Sequence, residues 1–185
     1  MKAIIFDCFG VLTTDYWREF VASLPVRQQP AASDLNKAYD AGFMSTTDFM
    51  DQVEAVTGRR PNLIEHTKAP ATKNHQLLEY ITGLKPTYKI GLLSNIATDW
   101  ITEEFLTLDE QQLFDVMVFS HKVKLTKPDH RIFELVADRL GVETSDCLMV
   151  DDLEVNCTGA QETGMKSIIY TDYAQAVADI ERQLN

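Results

Sequence analysis

The chain has 185 residues, 45% of them apolar, and a formal net charge of −11. That length suits one domain, or one domain with a sizeable insertion, and the apolar content excludes a disordered or low-complexity chain. The acidic balance argues against a nucleic-acid backbone or an anionic membrane as the main partner, and admits an anionic substrate only where local cations or a metal offset the field.

In chain order, Ala3–Phe6 is the first of five short, continuous apolar runs; Ile90–Leu93, Val116–Phe119, Cys147–Val150 and Ser167–Tyr170 follow. Unbroken rather than alternating runs are expected of parallel strands buried on both faces. The stretch from about Thr14 to Pro86 has no comparable run. It carries helical patterns instead, notably Thr46 and Thr47 followed by Phe49, Met50, Val53 and Val56 and closed by Gly58. Ala97, Ile101, Phe105 and Leu108 are spaced to share a helix face. So are Ile132, Phe133, Val136 and Leu140, and again Val177, Ile180 and Leu184. Pro128 is placed as a first-turn proline, and Gly141 and Gly164 as helix stops. The pattern predicts an α/β fold, a doubly wound parallel sheet of five or more strands with an inserted α-helical cap. Residues 1–13 and 87–185 form the expected core, and 14–86 the cap, set over the carboxyl edge of the sheet where such folds bind ligands.

The three cysteines, Cys8, Cys147 and Cys157, lack paired spacing and fit reduced, buried thiols. The few apolar residues before Asp7 are too short for a signal peptide, and no run approaches the roughly 20 apolar residues of a membrane span. A cytoplasmic protein is the expectation. Nothing distinguishes a monomer from a homodimer. His66, His75, His121 and His130 show no metal-ligand spacing.

Residues able to do chemistry collect just after the strands. Asp7 follows the first, Ser94-Asn95 the second, Lys127 the third and Asp151-Asp152 the fourth. Each alone has a plain structural explanation as a cap, a turn or a solvated charge. Their coincidence at four successive strand ends makes sense around a phosphate. A carboxylate attacks phosphorus only if something neutralises the phosphoryl oxygens. Asp7 and Asp152 suit a shared Mg²⁺, while Ser94, Asn95 and Lys127 suit the remaining oxygens.

These motifs, FDCFGVL, LLSN, KPDHRIF and VDDLEVNCTGA, resemble in their order those of the haloacid dehalogenase superfamily of hydrolases. The insertion resembles the small helical-bundle cap of its branch with sugar phosphatases and 2-haloacid dehalogenases. The resemblance implies that Asp7 is the nucleophile of an aspartyl intermediate and that Lys127 stabilises it. It implies that Ser94, Asn95 and Lys127 hold the transferred group, and that Asp7, Asp152 and the backbone carbonyl of Phe9 bind Mg²⁺. Asp151 would be a supporting partner, and Asn156 would steady the loop. The implied activity is phosphate release from a small phosphorylated metabolite.

Phe9 departs from that pattern. Phosphatases of the family usually place an Asp there, which protonates the leaving alcohol and then activates water. A phenyl ring does neither, and such help is typically worth about a hundred- to ten-thousand-fold. Slow turnover of alkyl phosphates is expected unless another group takes over, with Asp15, His121 or a cap residue in view. Phe9 also raises two other readings, a non-catalytic relative that binds a phospho-ligand or a protein, and a 2-haloacid dehalogenase. Asp152 weighs against the second, since it would repel a carboxylate substrate, and that group resembles this chain less in having Ser-Asn where Asp151-Asp152 stand.

Overall fold

The computed structural model describes residues 1–62 and 73–184. Strands β1 (Ala3–Phe6), β2 (Lys89–Ser94), β3 (Val116–Phe119), β4 (Cys147–Asp151) and β5 (Lys166–Ile169) form one sheet in the order β3-β2-β1-β4-β5, every pairing parallel. Successive strand side chains point to opposite faces, and both faces are covered, which explains the unbroken apolar runs. Ile4, Phe6, Leu92, Leu148 and Val150 pack on one face with Leu77 and Ile81 of a helix at His75–Leu84 and Ile180 of another at Tyr173–Leu184. Ala3, Ile5, Leu93 and Met149 pack on the other. They meet Ile132, Phe133, Val136 and Leu140 of the helix His130–Leu140, and Ala160 of the helix Glu154–Glu162. The doubly wound α/β sheet is therefore present, with strand bounds within a residue of those expected.

In chain order the helices are α1 (Tyr16–Ala22), α2 (Gln29–Asp40), α3 (Thr46–Thr57), α4 (His75–Leu84), α5 (Leu108–Gln111), α6 (Ser120–Val123), α7 (His130–Leu140), α8 (Glu154–Glu162) and α9 (Tyr173–Leu184). No helix is long and apolar enough to cross a membrane among the described residues. Of the stretch between β1 and β2, α1–α3 share a small apolar cluster of their own. Tyr39 stacks on Phe49 with ring centroids 4.3 Å apart, and Trp17, Phe20 and Leu35 close around them. Helix α4, by contrast, packs on the sheet. Ser45 caps α3 by accepting from Asp48 N, and Gly58 ends it in the left-handed conformation. His66 lies outside the described residues.

Two local expectations need correction. Pro128 is not in the first turn of α7: Asp129 caps that helix, its carboxylate accepting from Arg131 N at 3.0 Å, so the proline precedes the cap, after a cis Lys127–Pro128 bond. Leu108 does not share the buried face of Ile101 and Phe105. The chain makes a π-type turn at Ile101–Phe105 and restarts at Thr107, which caps α5 and leaves Leu108 78% exposed.

Candidate active site

From central β1 the chain proceeds to β2 and β3 on one side, then returns to β4 and β5 on the other. In such sheets the ligand crevice opens at the carboxyl ends where that direction switches, here between β1 and β4. Asp7 follows β1, its N–H donating to Val150 O at 2.9 Å, and Asp151 closes β4. The pairing of Phe6 with Val150 brings these carboxylates side by side.

Lys127 lies between them, its side chain 1% exposed. Its Nζ is 2.8 Å from Asp7 Oδ1 and 2.5 Å from Asp151 Oδ2. Asp151 is fully engaged, since it also accepts from Leu153 N and from the Asn156 amide. It anchors Lys127 and the start of α8, and Asn156 holds it there. Burial opposes its charge, but the Lys127 ammonium and these donors outweigh it and keep Asp151 below the usual carboxylate range. Burial drives Asp7 the other way, well above that range against the pull of Lys127, and the Asp151 and Asp152 charges add to the rise.

Ligand atoms of Asp7, Asp151 and Asp152 lie within 4.8 Å of one another. Three carboxylates around one buried ammonium leave excess negative charge in a low-dielectric site, an arrangement that a further cation stabilises. Asp152 Oδ1 is buried without a hydrogen-bond partner among the described residues, which suits a ligand atom. Its other oxygen pairs with the Arg18 guanidinium, on a side chain 47% exposed at the start of α1. Gly10 makes room for that carboxylate. Its φ is +80°, and a Cβ there would come 2.1 Å from Asp152 Oδ2. The donor set therefore fits a hard divalent cation held by Asp7 and Asp152, with Asp151 committed elsewhere.

A cavity of about 290 Å³ opens over Asp7, Lys127 and Asp152. Tyr16, Trp17, Tyr39 and Asp40 wall its helical side, and Asn95, Ile96, Ala97 and Trp100 the side after β2. Phe9 lies in this wall, stacked on Trp100 at 5.9 Å, and Trp100 stacks in turn on Phe105. Asn95 lines the cavity, but its amide is clamped on the Lys127 backbone, accepting from Lys127 N at 2.8 Å and donating to Lys127 O at 3.0 Å. Ser94 is fully buried at the same sheet edge, its hydroxyl without a partner among the described residues.

Of the expected residues, Asp7, Phe9, Asn95, Lys127, Asp152 and Asn156 line the cavity, with Asn95 and Asp151 acting on Lys127; Ser94 lies buried at the sheet edge and is not part of that lining. Asp40 is not singled out by the sequence for this site, and Arg18, which opens the insertion with Tyr16 and Trp17, reads there as a packing position. Helix periodicity explains α1 and α2 as packing surfaces and says nothing of which polar residue overhangs the sheet. His121, in view as a replacement acid, is turned away: Nδ1 lies 2.9 Å from the Ile96 carbonyl and Nε2 3.6 Å from Asp99. Burial pushes the Cys8 thiol well up, and Cys147 and Cys157 rise to about 11, so all three are packing groups.

A family model of haloacid dehalogenase-like hydrolases matches residues 9–170. The mouse protein acyl-CoA dehydrogenase family member 10 is 39% identical over 99% of this chain, which spans only 19% of that protein. A phosphorylated carbohydrates phosphatase from Thermotoga maritima is 26% identical over 91% of the chain and 84% of its own length. Among solved structures, a HAD family enzyme from Bacteroides thetaiotaomicron, in complex with magnesium and inorganic phosphate, superposes with a TM-score of 0.68. It is 22% identical, with 94% of this chain and 95% of that one covered.

Proposed function

This chain belongs to the haloacid dehalogenase-like hydrolases, and within them we propose that it is a Mg²⁺-dependent phosphatase of a small phosphorylated metabolite. The observation that carries the reading is the buried Asp7–Lys127–Asp151 relay with a third carboxylate, Asp152, beside it. The name of the Thermotoga maritima relative supports the substrate class, and the ligands of the Bacteroides thetaiotaomicron enzyme support the metal.

Asp7 is the nucleophile. One of its oxygens accepts from Cys8 N and from Lys127, which fixes the carboxylate and leaves the other oxygen for attack on phosphorus. Lys127, immobilised by Asp151 and by the Asn95 clamp, offsets charge on the phosphoryl oxygens. The Ser94 hydroxyl, without a partner among the described residues, is a donor for one of them. Asp7, Asp152 and the Phe9 carbonyl would hold Mg²⁺, which neutralises the phosphate and lessens its repulsion by the carboxylates. Arg18 can then leave Asp152 for the incoming anion. Helices α1–α3 act as the cap, and the volume they leave suits a small metabolite.

The test is phosphate release from p-nitrophenyl phosphate and glycerol 3-phosphate, with Mg²⁺ and with EDTA, beside Asp7→Asn. Release that needs both the metal and Asp7 is expected. No release from either substrate sinks the reading and makes halide release from a 2-haloacid, then ligand binding without turnover, the next assays. The aromatic Phe9 is what keeps those readings in play.

A further inference from the structure

The proton that Phe9 cannot deliver has a source on the helical wall of the same cavity. Building on the phosphatase reading, we infer that the Asp40 carboxyl is the general acid that protonates the leaving oxygen and the base that then activates water.

Position comes first. Asp40 ends α2 and lines the cavity together with Asp7 and Lys127. In-line attack puts the leaving oxygen on the side of phosphorus away from Asp7. Asp7 belongs to the sheet edge, so that side faces the helices. Asp40 is also held in place. Asn36 Nδ2 donates to its Oδ2 at 2.7 Å. Its carbonyl accepts from Ser120 Oγ at 2.6 Å, and the same hydroxyl accepts from Ile96 N at 2.8 Å. The end of α2 is thereby pinned to the core between the segments that follow β2 and β3. Oδ1 makes no hydrogen bond among the described residues.

The other lining carboxylates are committed. Asp7 pairs with Lys127, Asp152 pairs with Arg18, and Asp15 both caps α1 and pairs with Arg18. Among the described residues, Asp40 has a neutral amide as its side-chain partner and no paired cation. Burial, with the Asp15 charge, pushes its pKa up to about 7, while Asn36 and Lys127 pull the other way. A carboxyl of that kind is available in both protonation states near neutrality, as an acid that must later serve as a base requires.

The chemistry balances over two steps. In the first, an Asp7 oxygen bonds to phosphorus as the bond from phosphorus to the alcohol oxygen breaks, and the Asp40 proton moves to that oxygen. In the second, the Asp40 carboxylate takes a proton from water as its oxygen bonds to phosphorus. The bond from phosphorus to Asp7 breaks, releasing inorganic phosphate and restoring both carboxyl groups.

The experiment compares kcat/KM for glycerol 3-phosphate and p-nitrophenyl phosphate in wild type, Asp40→Asn and Asp15→Asn, all with Mg²⁺. An alkyl leaving group needs the proton and a nitrophenolate does not. The alkyl-to-aryl ratio in Asp40→Asn is therefore expected to fall about 10²- to 10⁴-fold. A ratio unchanged in Asp40→Asn overturns the inference, whether both rates fall together or neither does. So does a fall produced by Asp15→Asn instead. A second measurement needs no variant: across a series of phosphate monoesters, wild type should show only a shallow dependence of kcat/KM on leaving-group acidity. A steep dependence means no acid is working. Wild type that releases phosphate from neither substrate removes the phosphatase reading and this inference with it.

Discussion

Lys127 shows how one buried residue sets both stability and chemistry. Its ammonium neutralises Asp7 and Asp151 where water is absent, so removing it strands two carboxylates. Lys127→Met should destabilise the protein by about 3–5 kcal/mol; urea denaturation in EDTA checks this, and a loss within the scatter of surface substitutions would show the charges are not so buried. Gly10→Ala should push Asp152 out of place and weaken Mg²⁺ binding roughly tenfold or more, measurable by titration calorimetry. Unchanged affinity would remove Asp152 from the metal site. Asp40 has a pH signature. Its carboxyl rises from 3.8 to about 7 chiefly through burial, so the folded state favours the neutral form. Its contribution to stability is full below about pH 4 and is lost as pH climbs through 7, on the order of 4 kcal/mol in all. Asp40→Asn should therefore raise the melting temperature relative to wild type at pH 8 and not at pH 4.

At the scale of elements, the helices over the site have their own packing. Phe49 is fully buried between Tyr39 and Trp17, apart from the two clusters that sandwich the sheet. Phe49→Ala should cost about 3–5 kcal/mol, and hydrogen exchange should place that loss in α1–α3 while the β1 and β4 amides keep their protection. Uniform loss across the sheet would mean that helices and sheet unfold as one unit. The division of labour matters for catalysis. The sheet edge carries Asp7, the proposed nucleophile, and its lysine, and α1 and α2 carry Arg18 and Asp40, whose positions depend on that smaller core.

For the whole molecule the controlling quantity is charge. On the proposed phosphatase reading, a net −11 repels the substrate until Lys127, Arg18 and a bound Mg²⁺ take over at close range. Raising salt from about 0.01 M to about 0.15 M shortens the screening length from roughly 30 Å to about 8 Å. It should therefore raise kcat/KM for a phosphate dianion, and a fall would show that local cations dominate even the approach.

The sequence by itself determined the parallel sheet, because strands buried on both faces must be apolar at every position. It also determined which residues gather at the sheet edge, because in a doubly wound sheet each strand end opens onto the same crevice. Asp7, Ser94, Asn95, Lys127, Asp151 and Asp152 were legible for that reason. Only the tertiary structure decided what each side chain engages. Asn95 clamps the Lys127 backbone, Asp151 is saturated by donors, and Pro128 precedes the α7 cap, because these depend on contacts such as Asn95 with Lys127, 32 residues apart, and Lys127 with Asp151, 24 apart, or on which neighbour wins a cap. Arg18 and Asp40 reach the site by the docking of helices whose periodic pattern records only their apolar faces. A polar residue on the rim of such a helix carries no mark in the sequence of the cavity it will overlook.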